Sequence, residues 1–306
     1  MKKWVLGAFL SFALCANGAE TDSVRVEHLL KEALSLPDDS CRTLHFARRL
    51  MGTPYVSGTL DTSNEEQLVV YLDKVDCTTL VETVLALTIA DKEGKRTFCG
   101  FKDALKSIRY RRGELNGYAS RLHYFSDWIK DNERKGLIKE YTSNLPNIRK
   151  RLLSLDFMTT HVPSYPQLKE NPSMVEAMKK VESAWQGVEI AYLPKEYLNL
   201  SSDELPIKNG DILAITTNIK GLDVVHVGFA CWMGGKLHLL HASSNAMKAA
   251  ASMMADSALK SVQMQEELPV MPRVEEVKEE TPPEELIIPI IDEEVVVVQP
   301  ENIEIP

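Results

Sequence analysis

An α+β fold is predicted from a change of rhythm along the chain. In residues 24–51 and again from Cys77, apolar side chains recur at three- and four-residue steps, whereas from Asn209 they alternate every second residue. The first spacing gives one apolar helix face and the second one apolar sheet face. Two of the alternating runs, DVVHVGFACW and KLHLLHAS, are separated only by a Met-Gly-Gly-Lys turn, so they read as an antiparallel hairpin.

The elements follow in order. The start, MKKWVLGAFLSFALCANGAETD, has Lys2 and Lys3, an apolar run to Cys15 and small residues at Ala16 and Gly18, the pattern of a secretory signal over residues 1–18. Leu14 stands where a lipoprotein signal needs a small residue before Cys15, which disfavours a lipid anchor. No later segment reaches the roughly 18 apolar residues of a membrane span. The expectation is an exported protein, periplasmic or extracellular, with no stable membrane insertion after signal cleavage.

Residues 24–51 (VRVEHLLKEAL, CRTLHFARRLM) are predicted helical, and GTPYVSGTLD (52–61) is a loop punctuated by Gly and Pro. VDCTTLVETVLAL (75–87) opens another helix; KDALKSIRYRRG and LHYFSDWIKDNERKGLI continue as helix or mixed structure. MTTHVPSYPQLKENPS (158–173) is a Pro-rich loop before a short helix, MVEAMKKVESAW. GDILAIT, DVVHVGFACW and KLHLLHAS are strands. The chain of 306 residues, 44% hydrophobic, can bury one sizeable core, assigned to residues 19–260.

The formal net charge of -9 resides in the C-terminal segment, where residues 263–306 hold thirteen carboxylates against Arg273 and Lys278. The body is close to neutral, and no basic patch interleaved with aromatics calls for nucleic acid. Residues 261–306 are expected to form a disordered acidic tail, dispensable for activity, although VVVV and LIIPII could pair as short strands.

Asp76 is a good N-cap, Cys77 would be the first helical residue, and Leu80, Val81, Val84 and Leu85 form the stripe behind it. A thiol among the unpaired N–H groups of a helix start is expected to favour its thiolate. A buried thiol, or a disulfide with Cys41, Cys99 or Cys231, is equally open at this point.

A thiolate needs a base. If Gly234-Gly235 form the loop, Met233 faces Lys236, His226 faces Ser243 and Val227 faces Ala242. His226 and His241 then share a face one diagonal step apart, with His238 and Cys231 on the other. Two histidines are selected from seven. A cysteine at a helix start with a histidine oriented by a polar neighbour suits a cysteine hydrolase. A zinc site of Cys77, His226 and His241 would lack a clear fourth ligand; two satisfied sheet histidines are the plainer alternative.

The ordered segments GTPYVSG, DCTTLVE, NGDILAI, VVHVGFA and LHLLHASS resemble the NlpC/P60 cysteine peptidases. The resemblance implies a papain-like core in which the nucleophile helix packs on an antiparallel sheet. Carried over, Cys77 is the nucleophile, His226 the base and His241 the third member; Tyr55 lies beside the nucleophile, Asp76 anchors its helix, and the Cys77 N–H is an oxyanion donor. No metal or organic cofactor is implied.

A helical insertion at about 98–205, with YRRGELNGYASRLHYFSDWI and FMTTHVPSYPQL, resembles the DUF1460 branch of that superfamily. That likeness implies N-acetylmuramoyl-L-alanine amidase action on peptidoglycan fragments (muropeptides), with the insertion shaping the pocket; an endopeptidase cutting within the stem peptide and a non-catalytic peptidoglycan-binding protein are the alternatives. Tyr110, Arg111, Arg121, His123, Tyr124, Trp128, His161 and Tyr165 are candidates for holding such a ligand, through ring stacking on sugars and guanidinium pairing with carboxylates. Ordinary helix surface and core is their alternative. A closing strand expected after HASS is not recognisable in AAASMMADSALKS.

Overall fold

The structure, a computed structural model, describes residues 21–61, 63, 65–243, 248–253 and 294–300. The signal-like residues 1–18 lie outside the described residues. Helices are α1 Asp22–Ala33, α2 Arg42–Arg49, α3 Cys77–Lys92, α4 Phe98–Arg109, α5 Phe125–Arg134, α6 Phe157–Thr160 and α7 Pro172–Ser183. Strands are β1 Ile138–Glu140, β2 Arg149–Leu153, β3 Val188–Pro194, β4 Ile212–Thr216, β5 Val224–Met233, β6 Lys236–Ser243, β7 Lys248–Met253 and β8 Glu294–Pro300. Among the described residues these strands make one antiparallel sheet in the order β2-β3-β8-β4-β5-β6-β7, with β1 paired to β8. The α+β class and the antiparallel sheet are therefore as the sequence predicts.

Helix α3 is the hub of the main core. Its residues from Leu80 to Ala90 are buried almost without interruption, because α1, α2 and α4 surround it and the sheet lies against it. A helix enclosed on all sides has no need of a polar face, which is why CTTLVETVLALTIA is apolar nearly all round. Val227, Phe229 and Cys231 of β5 and Leu240 and Ala242 of β6 join this core. A second core, with Leu213, Ile215, Ala230, Leu237, Leu239, Val295 and Val297, fills the opposite side of the sheet.

Part of the C-terminal segment, expected as a disordered tail, is an ordered strand. Residues 294–300 form a strand set between β3 and β4, with Ile212 opposite Val298 and Leu193 opposite Val295. Val295, Val297 and Val298 are completely buried and Val296 nearly so. Where β8 leaves β3, Thr142 completes its outer edge: Val297 N–H donates to Thr142 Oγ1 at 2.7 Å, and the Thr142 hydroxyl donates to Val297 O at 3.2 Å. Composition misleads here because the carboxylates surround a run of four valines that suits a strand buried on both faces. The missing closing strand has two counterparts, β7 beside β6 and β8 in the interior of the sheet. LIIPII lies outside the described residues.

Candidate active site

Asp76 caps α3 as expected. Its Oδ1 accepts the Thr79 N–H at 2.7 Å, and its own N–H donates to Thr79 Oγ1 at 2.8 Å, a reciprocal capping box with threonine in the third position. Cys77 follows as the first helical residue. The loop before it is fastened at its neck, where Val56 N–H donates to Val75 O and Val75 N–H to Pro54 O, each at 2.9 Å. That clamp sets Tyr55 opposite Val75 and beside the thiol. Burial, then the charges of Cys77 and Asp76, push the Tyr55 phenol well above its usual range, so it stays protonated.

The hairpin register is the one the sequence predicts, from Met233 opposite Lys236 to Phe229 opposite Leu240. His226 Nε2 and His241 Nδ1 meet at 2.6 Å, with the rings at right angles. His238 pairs in register with Cys231, away from them. Gly228 permits the close approach: a Cβ there would lie 2.7 Å from Leu240 O and 2.9 Å from the His241 Cβ. The β4–β5 ladder slips between Ile215 and Thr216, so that Ile215 faces His226 and Thr216 faces Val224. Val225 consequently packs with the second core and Val227 with the main one. The extra residue breaks strand alternation beside His226 without disturbing the hairpin register.

The Cys77 sulfur is favoured as an anion by the Val227 N–H, the backbone donor immediately after His226. The Cys77 thiol thus lies against the backbone of β5 at the residue next to His226. Among the described residues no hydrogen bond joins Cys77 Sγ to His226, whose Nδ1 is the ring nitrogen not engaged by His241. Burial and the Asp76 charge push the Cys77 thiol up to about 12, against weaker help from Thr78 and Val227. The direction is opposite to that expected of a helix start, because burial of the thiol is the largest influence on it. Burial, with the neighbouring His241, holds His226 down at about 3. The resting pair is neutral thiol and neutral imidazole.

The four cysteines Cys41, Cys77, Cys99 and Cys231 are unpaired. Of the ligand candidates in the insertion, Tyr110, Tyr124 and Trp128 are core residues with no open ring face to offer a sugar. Tyr110 OH donates to Glu66 at 2.9 Å, and Tyr124 OH to Glu182 at 2.7 Å. Arg111 is held by Asp127 through both terminal nitrogens, at 3.1 and 2.6 Å. Arg121 is buried between Asp61 and Glu66. His123 binds Tyr118 O at 2.9 Å, and burial, then Arg121, hold it down at about 3. Tyr110, Tyr124, Arg111 and Arg121 are thus held by carboxylates of the protein, whereas Arg121 Nε and Trp128 Nε1 are buried with no hydrogen-bond partner among the described residues. His161 is exposed and stacked on Phe157. Half-buried Tyr165 is pushed up to about 12 by burial and by Asp61 and Glu182.

Sequence reasoning missed Asp61, Glu66, Glu82, Arg109 and Asp223. Arg109 donates to Glu82 Oε2 of α3 and to Val69 O of the Tyr55 loop, each at 2.6 Å. A carboxylate inside the apolar run of α3 is the signal that could have found Glu82, since a buried charge needs a partner.

Comparison with known proteins follows this geometry. Residues 45–265 match the AmiA-like family, described as N-acetylmuramoyl-L-alanine amidase-like. A Bacteroides uniformis N-acetylmuramoyl-L-alanine amidase is similar at 36% identity and a TM-score of 0.68, over 84% of this chain and 97% of that one. A Bacteroides fragilis protein provisionally named a xylanase is similar at 38% identity and 0.67, over 83% and 99%. A Legionella pneumophila protein carrying the DUF1460 label shares the fold at 20% identity and 0.59, over 90% and 93%. No curated protein sequence matches the chain. Fold and sequence agree: the chain belongs to the AmiA-like, N-acetylmuramoyl-L-alanine amidase-like family.

Proposed function

We propose that this protein is an exported cysteine amidase of the NlpC/P60 kind that hydrolyses the amide between the lactyl group of N-acetylmuramic acid and the first L-alanine of muropeptides. The observation that carries the reading is the 2.6 Å His226–His241 contact on the strand whose next residue, Val227, turns its N–H to the Cys77 thiol. A histidine that gives its Nε2 proton to His241 Nδ1 keeps Nδ1 as a base.

In the proposed reaction, His226 Nδ1 takes the proton of Cys77 Sγ as the sulfur attacks the lactyl carbonyl carbon. The oxyanion is met by the Cys77 N–H, a free donor at the helix start. Collapse breaks the C–N bond, and His226 returns the proton to the departing alanine amine. The lactyl thioester on Cys77 is then hydrolysed by water that His226 deprotonates, releasing a carboxylate and restoring the thiol. With both groups neutral at rest, the proton passes from sulfur to imidazole as the C–S bond forms, so no free thiolate has to accumulate beforehand.

Two other readings compete. An endopeptidase would cut within the stem using the same three residues. A glycosidase, which the name of the Bacteroides fragilis relative would suggest, needs two carboxylates about 5–9 Å apart across a sugar bond; near Cys77, Asp76 is engaged in capping the helix. Defined muropeptides separate the three. Intact stem peptide plus sugar supports the amidase, a shortened stem the endopeptidase, and shortened glycan with intact lactyl amides the glycosidase.

A further inference from the structure

The insertion grips both halves of the site through residues only five apart. On one side Arg121 pairs with Asp61 and, at 3.5 Å, with Glu66, and lies over the Tyr118 ring at 4.9 Å. Both carboxylates belong to the loop that leaves and returns through the Tyr55–Val75 clamp, so moving the loop moves the residue that precedes Asp76-Cys77. On the other side Asp223, 1% exposed, accepts the Ser126 N–H at 2.6 Å and the Val224 N–H at 2.8 Å. Helix α5 has Tyr124 at its N-cap and no side-chain cap of its own. A carboxylate from the threshold of β5 caps it instead, three residues before His226. Between the anchors Leu122, Tyr124 and Phe125 are buried, and Leu122 N–H donates to Arg109 O at 3.0 Å, which keeps the link stiff.

We propose that Arg121–Ser126 is a strap that registers Cys77 against His226, with Arg121 and Asp223 as positioning residues. This rests on Cys77 and His226 being nucleophile and base. A strap matters most where the two groups are drawn together only during reaction, because small displacements of reacting groups cost large factors in rate.

The test uses the full chain with Asp223→Asn, Arg121→Lys and His226→Ala. Asparagine offers one oxygen where two N–H groups point, and lysine replaces a fork by a single ammonium. Iodoacetamide alkylation of Cys77 is followed by mass spectrometry against pH, below the melting temperature of every variant, with exposed Cys99 as the internal control. His226→Ala gives the rate without a base. Asp223→Asn is expected to lower the Cys77 rate about tenfold towards that reference and to lower kcat with little change in KM, leaving Cys99 unchanged. Arg121→Lys should act in the same direction, and carries the test if Asp223→Asn does not fold. Wild-type Cys77 reactivity in a variant that has merely lost thermal stability would overturn the strap. An unchanged kcat in His226→Ala would remove the base assignment itself, and the strap with it.

Discussion

At the scale of residues, the proposed chemistry depends on two groups that are both neutral at rest. Cys77→Ala is expected to abolish turnover. His226→Ala and His241→Ala should each lower kcat by roughly 10²–10⁴-fold, the size of losing a general base or the partner that orients it. Because His226 is held at about 3, the basic form persists in acid. Its proton-accepting state is lost only as pH approaches that value, so kcat/KM should stay level from pH 8 to 5, without the fall near 6.5 of an ordinary histidine. A pH profile that drops through 6.5 would contradict this. Asp211, in the Gly-Asp entry to β4, behaves oppositely: burial pushes it up to about 6, although it accepts the Lys208 N–H at 2.7 Å and Gln299 Nε2 at 3.3 Å. A raised folded-state value favours the fold below the unfolded value and loses that advantage as pH rises through 6. Both bonds reach the same oxygen, which asparagine can also supply. Asp211→Asn should therefore raise stability at pH 8 by about 2 kcal/mol, and the gain should fade by pH 4; melting curves at the two pH values check it.

At the scale of elements, legibility followed local pattern. The α3 cap, the hairpin register and the pairing of His226 with His241 were readable because each depends on residues close in sequence or on strand parity. β1, β2 and β3 were not, since they are short and lie among helices: β1 and β3 pair with β8, about a hundred residues later or more, and β2 pairs only with β3. Strand β8 was hidden by its acidic flanks. Each buried valine there contributes roughly 1.5–3 kcal/mol, and four approach the whole net stability of a typical domain. Ending the chain near residue 260 should therefore lose cooperative unfolding as well as activity. Val297→Asp in the full chain should lower the melting temperature by more than 10 °C, since a lone buried carboxylate has no partner there. A shortened chain that melts like the full one would show that β8 does not carry this load.

At the scale of the molecule, the sheet and the α3 hub hold the cysteine and the imidazole pair, and the insertion binds the loop before one and the strand before the other. The sequence sets an insertion at about 98–205 and offers its aromatic and basic residues as ligand contacts, with ordinary surface and core as the alternative. Tyr110, Tyr124 and Trp128 are core residues, and Arg111 and Arg121 are paired with carboxylates, because an insertion that carries helices and the strands β1, β2 and β3 must bury side chains and pair their charges to pack on the body. The family relation fixes the amidase-like character, and the bond cleaved is the central claim. The measurement that tests it most directly is mass analysis of a defined muropeptide treated with the wild-type protein and with Cys77→Ala. The account predicts intact stem peptide with a free L-alanine amine plus the lactyl-bearing sugar from the wild type, and nothing from the variant. A shortened stem, or equal product from Cys77→Ala, would contradict it.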